Sequence, residues 1–131
     1  MSTMIDNSTI TLYRREKLVQ ITSGVISTLP PVAFMAFGNG GTNSEGMPIA
    51  PLDTETALKN EIARYPVVPV EFPISTTARY AATIPPSDLQ DEVINEAALV
   101  DAEGNLCNIQ AMYDKRKESG VSFTFVFHDE F

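Results

Sequence analysis

Cysteine and histidine each occur once in this 131-residue chain, as Cys107 and His128. A single cysteine excludes an intramolecular disulfide, so a stapled secreted domain is not expected. One histidine and one cysteine cannot furnish a structural zinc site within one chain. Basic residues are scarce: nine Lys and Arg against 17 Asp and Glu leave a formal net charge of -8. Phosphate backbones are gripped by clustered Lys and Arg, so nucleic acid is not an expected partner. The same deficit argues against an anionic membrane surface. Long apolar runs are missing too. Val32 to Phe37 is among the longest and falls far short of a membrane span, so no membrane insertion is expected. The segment MSTMIDNSTITLYRREKL does not show the basic-then-apolar order of a signal peptide. Assembly in a reducing cytoplasm is the resulting expectation.

What is present is an ordinary globular mixture, about 44% hydrophobic and 20% charged. The length suits one domain with a single core. Residues 1–8 are polar and are expected to form a flexible N-terminus, with one domain over 9–131. Ile10, Leu18, Ile21 and Val25 recur at helical spacing, with Arg14, Arg15, Glu16 and Lys17 as the wet face. The spacing predicts a helix from Thr9 to Val25. Thr9 or Thr11 is its candidate cap, and Gly24 and Pro30-Pro31 its candidate stops. A second helix is predicted from Leu52 to Tyr65, with an apolar stripe of Leu58, Ile62 and Tyr65 and an i,i+4 pair of Glu55 and Lys59.

Strand signals dominate elsewhere. Val32 to Phe37 is a predicted buried strand running into Gly38-Asn39-Gly40-Gly41. After Pro66 the period falls to two. Val68, Val70, Phe72 and Ile74 alternate with Pro69, Glu71 and Pro73, which suits an edge strand, because proline cannot donate to a ladder. Ala78, Tyr80, Ala82 and Ile84 alternate next, and Pro85-Pro86-Ser87-Asp88 is a turn. Val93 to Val100 and Leu106 to Met112 flank a hairpin tip where Gly104 can take a positive φ. Residues 113–120 are charged and predicted to be a loop. Val121, Phe123, Phe125 and Phe127 form a C-terminal strand. The expected fold class is therefore α+β: two N-terminal helices packed on a mainly antiparallel sheet or small sandwich of about five strands.

None of the candidate chemistry outweighs a structural explanation. His128 would be needed for any Ser-His-Asp or Cys-His device, yet it lies near the C-terminal end of the strand pattern. Cys107 has no basic neighbours in sequence and reads as a small buried hydrophobe. The carboxylates Asp88, Asp91, Glu92, Glu96, Asp101 and Glu103 lack the oxygen-ligand repeat of an EF-hand. Gly38-Asn39-Gly40-Gly41 lacks the Gly-Lys-Ser/Thr of a phosphate loop and reads as a tight backbone passage. The expectation is no catalytic residue, no cofactor and no metal. Arg14, Arg15 and Lys17, and Lys115, Arg116 and Lys117, are basic clusters on an acidic chain and hence candidate docking patches.

One constellation is more specific. Phe37-Gly38-Asn39-Gly40-Gly41 is followed by Pro51-x-x-Thr54-x-x-Leu58-x-x-Glu61. Ile84-Pro85 comes next, and then Ile94-Asn95-Glu96-Ala97-Ala98-Leu99-Val100-Asp101-Ala102-Glu103-Gly104-Asn105-Leu106. This order resembles the N-terminal, baseplate-attaching domain of phage tail-collar fibre proteins, which occur in tailed phages, prophages and phage-derived contractile particles. Asn39 stands where that family has Asp, and Ala98 where Gly is usual. The resemblance implies structural roles for Gly38, Gly40, Leu58, Glu61, Glu96, Leu99, Asp101 and Gly104. Glu96, inside a strand, needs a partner, with Lys115 or a backbone amide as candidates.

The resemblance also implies a structural tail or baseplate subunit that joins fibres to the tail tip. Its partners would be other tail, baseplate or fibre proteins, and a homo-oligomer, with a trimer favoured, is implied. Its place would be the tail of a virion or phage-like particle assembled in the bacterial cytoplasm. The family's fibres run on into a shaft and receptor-binding tip, so attachment rather than host recognition is expected of these residues. The candidate interface residues are Arg14, Arg15, Lys17, Phe72, Lys115, Arg116, Phe125 and Phe127, with the edges of the proline-bearing and phenylalanine strands as pairing surfaces. Two other functions fit parts of the sequence. A receptor- or glycan-binding module would use Tyr65, Tyr80 or Tyr113 as an aromatic platform. A cell-wall hydrolase would use Glu61 and Glu96.

Overall fold

Pro30-Pro31 ends any helical continuation, and the apolar run that follows forms the first long strand. In the computed structural model, which describes residues 8–131, the elements are β1 (Ser8–Ile10), α1 (Leu12–Thr22), β2 (Val32–Gly38), β3 (Glu61–Pro66), β4 (Glu71–Ile74), β5 (Thr77–Ile84), β6 (Val93–Asp101), β7 (Leu106–Arg116) and β8 (Phe123–Glu130). Five strands form an antiparallel sheet in the order β1-β7-β6-β2-β3. Three more form a second antiparallel sheet, β4-β5-β8. This is a mostly-β architecture, and the expected α+β class with two N-terminal helices is corrected. The expected flexible N-terminus over 1–8 lies outside the described residues except at Ser8, which opens β1.

The first helix is present but shorter than its sequence pattern. Thr11 caps it: its Oγ1 accepts the Arg14 amide at 3.2 Å and donates to the Leu106 carbonyl at 2.7 Å. Gly24, at φ +82°, follows the helix end at Thr22. No residue of α1 is buried, so it lies on the sheet as a partly wet rod.

The second helix does not form. Residues 52–60 make turns, and Glu61–Pro66 pairs as β3 along β2, Phe34 opposite Pro66 and Ala36 opposite Arg64. Local helix propensity is a weak preference that tertiary contacts override. Here Leu58 is buried on the sheet, and the Lys59 and Asn60 amides are drawn to a side chain of β6. The Glu55–Lys59 pair survives at 2.9 Å without a helix to hold it.

The main core lies between the two sheets. Met35 and Phe37 of β2 and Ala97 and Leu99 of β6 meet Ala82 and Ile84 of β5 and Phe125 and Phe127 of β8. Phe37 and Phe125 pack edge-to-face with ring centroids 6.0 Å apart. The other face of the five-stranded sheet carries Ala36, Ala98, Val100, Leu106 and Ile109, covered by Leu58. The β6 strand is thus roofed on both sides, and from Ile94 to Asp101 it is buried throughout. The predicted loop at 113–120 is also corrected. The β7 strand runs on to Arg116, since Ile94 and Val93 still need partners and take Lys115 and Arg116. Among the described residues no helix is long and apolar enough to cross a membrane.

Candidate functional site

Glu96 is the centre of the motif residues. It projects from β6 with 3% of its surface exposed. Its Oε2 accepts the amides of Gly40 and Asn60, each at 2.9 Å, and its Oε1 accepts the Lys59 amide at 3.1 Å. Next to it, Asn95 Oδ1 accepts the Gly41 amide at 2.7 Å, while its Nδ2 donates to Thr42 Oγ1 and Asp114 Oδ1. An irregularity of the ladder between Ile94 and Glu96 accompanies this pair of adjacent buried polar residues. The partner of Glu96 is therefore backbone, not Lys115. Buried carboxylates require such donors, because desolvation without them is costly.

The glycines permit this approach. A Cβ on Gly38 would stand 2.5 Å from the Asn60 carbonyl oxygen, and one on Gly40 2.7 Å from Lys59 Cβ. Both lie below van der Waals contact, so the loop after β2 can reach the carboxylate only without side chains there. The glycine loop and Glu96 form one closed unit, with an internal carboxylate where a phosphate loop would hold an external anion.

A second unit holds the β6–β7 tip. Asp101, 1% exposed, accepts the Glu103 and Asn105 amides through Oδ1, each at 2.9 Å, and the Tyr13 hydroxyl through Oδ2 at 2.7 Å. Gly104 takes φ +91°, as the hairpin requires. Burial first, and then the adjacent carboxylate, push the Tyr13 phenol up to about 12. Burial and then Asp88 do the same for Tyr65, whose hydroxyl donates to Asp88 Oδ2 at 2.9 Å.

A third unit joins α1 to β8. Arg14 Nη1 lies 3.0 Å from Asp129 Oδ2 in ion-pair contact, although the two are not aligned as a hydrogen bond. Asn108 Nδ2 donates to Asp129 Oδ1 at 3.1 Å, and the Arg14 guanidinium lies over the Phe131 ring at 5.2 Å. Asp129 is fully buried. Asp129 is not among the sequence candidates, although the two-residue period of Phe123, Phe125 and Phe127 continues to it.

Comparison with protein-family models, curated proteins and solved structures found no match. Among the described residues no group of three or more His, Cys, Asp or Glu is placed to hold a metal ion. Leu58 and Leu99 are core residues on opposite faces of the large sheet. Glu61 does not join Glu96. It accepts two hydrogen bonds from Arg64, at 2.9 and 3.0 Å, along the exposed edge of β3. Cys107 is buried, and burial pushes its thiol up to about 11, which keeps it protonated and unreactive at neutral pH.

The candidate interface residues separate. Phe125 and Phe127 are corrected: they face the core, because β8 turns its odd positions inward. Arg14 is likewise engaged, with Asp129. Arg15 is exposed and paired to Asp53, and Lys17 reaches over the Tyr13 ring. Lys115 and Arg116 are exposed, and Arg116 donates to the Asp91 carbonyl. Phe72 is 68% exposed on β4, and Ile74 is 61% exposed beside it. Earlier in the same segment, exposed Val68 and Val70 line a groove with Pro30, Pro31 and Tyr80. The tyrosines do not act together: Tyr65 and Tyr80 pack against the core, while Tyr113 is exposed.

Proposed function

We propose that the chain is a structural subunit of a phage or phage-like tail or baseplate, attaching or connecting fibres to the tail tip through protein contacts. The reading draws on the motif order described above and on how its residues are used. Glu96, Asp101, Gly38, Gly40 and Gly104 are all committed to shaping backbone. Glu61, the other carboxylate suited to a hydrolase, is bound to Arg64. No reaction is assigned to the chain.

The observation that carries the proposal is the strip of Val68, Val70, Phe72 and Ile74. Single exposed apolar residues are commonplace, but four of them at alternate positions along one short segment are the concentration expected of an interaction surface. Its partner would be a neighbouring protein of the particle, bound by burial of that strip and steered by the chain's acidity toward basic surface.

The double variant Phe72→Glu/Ile74→Glu tests this directly. Both residues are exposed, so the unfolding free energy should change by less than about 0.5 kcal/mol. Incorporation into sedimented particles should fall about ten-fold or more, the effect of losing an aromatic anchor. Wild-type incorporation of a folded variant would contradict the proposal.

A further inference from the structure

The edges of the two sheets are guarded unequally. The β1 strand is three residues long. The β3 strand ends in Pro66 and carries the Glu61–Arg64 charge pair. The β4 strand contains Pro73, follows Pro69, and has an irregular register with β5. Short length, proline, charge and bulges are the known devices that stop edges from pairing. The β8 strand, in contrast, is an eight-residue edge with unbroken register along β5 from Phe123 to Glu130. It contains no proline or bulge, and its two carboxylates are confined to its C-terminal end, Asp129 turned inward to Arg14 and Glu130 exposed, so the stretch from Phe123 to Phe127 is uncharged. Among the described residues, no segment other than β5 donates a backbone hydrogen bond to β8 or accepts one from it.

We infer that this edge pairs with the same edge of a second copy, antiparallel across a two-fold axis at Val126. A two-fold axis normal to the sheet keeps inward residues opposite inward residues, so the register must centre on a residue. Centring on Val126 aligns most of the strand and sets the half-buried Val126 side chains against each other. On the same outer face Thr124 then opposes His128, and Ser122 opposes Glu130. The acidic ends at Asp129 and Glu130 fall at opposite extremes of the pair, which avoids like charges across the seam. Centring on His128 would instead oppose two histidines and shorten the overlap. The result is one six-stranded sheet spanning two copies. Each copy carries a formal charge of -8, so pairing should tighten as salt is raised.

This closed dimer extends the assembly reading and differs from the trimer implied by the resemblance. The test is the full chain carrying Val126→Cys, with Thr83→Cys on the outer face of β5 as control. Opposed residues in an antiparallel pair have Cα atoms about 4.5–5.5 Å apart, within disulfide reach. Mild oxidation should convert Val126→Cys to a covalent dimer about ten-fold or more faster than Thr83→Cys, because pairing raises the local thiol concentration. Light scattering of the unaltered chain should give the dimer mass. A monomer or trimer mass, or equal cross-linking rates for the two variants, would overturn the inference. A monomer that still enters particles would refute the pairing alone, and a dimer that never does would refute the tail assignment alone.

Discussion

Glu96→Ala is expected to destabilise the fold by about 3–5 kcal/mol, the cost of breaking a buried charged network by removing one member. The carboxylate serves three backbone amides, from Gly40, Lys59 and Asn60. Without it those donors stay near the sheet with no acceptor, and each unsatisfied amide costs about 1–3 kcal/mol before the loop relaxes. Relaxation admits water and limits the total, which is why the effect falls below a simple sum. Glu96→Gln retains one acceptor oxygen but turns an NH2 toward amides, and should lose about half as much. Urea unfolding followed by circular dichroism measures both, with the slope unchanged if only the native state is affected. A loss below about 0.5 kcal/mol, the range of an ordinary surface change, would show that the carboxylate does not hold the glycine loop.

Arg14→Met is the second large effect, again about 3–5 kcal/mol, because it leaves Asp129 buried beside no cation. Asp129 is fully buried, and Asn108 supplies it only one neutral donor. The informative comparison is the double variant Arg14→Met/Asp129→Leu. Replacing both charges by apolar groups removes the desolvation cost together with the attraction, so much of the lost stability should return. If the double variant is as unstable as the single one, the pair acts through packing at the α1–β8 junction rather than through charge. Equilibrium unfolding of the wild type, Arg14→Met, Asp129→Leu and the double variant gives the coupling directly.

Parts of this arrangement were legible in the residues, for identifiable reasons. The β6–β7 hairpin follows from alternation broken at Asp101-Ala102-Glu103-Gly104, where only glycine readily takes φ +91°. The proline-bearing segment reads as an edge because proline cannot donate, and β4 is an edge. The second helix misled, since Leu58, Ile62 and Tyr65 have helical spacing and Glu55–Lys59 a helical charge pair. What overrides that pattern is non-local: the unpaired side of β2, earlier in the chain, and the acceptor oxygens of Glu96, 37 residues beyond Lys59 and 36 beyond Asn60. The inward turn of Phe125 and Phe127 was hidden for the same reason. Alternation says that one face is buried, but not that the opposite sheet lies there to bury it. The need of Glu96 for a partner was readable from its strand setting, whereas the choice of amides over Lys115 depended on where the glycine loop returns.

The most direct test of the assembly reading is a census of purified particles from cells that make this chain, by quantitative mass spectrometry against the tail-tip proteins. The chain should sediment with the particle at a fixed small-integer ratio to those proteins. Recovery of the chain only in the low-mass supernatant, with none in the particle fraction, would contradict it.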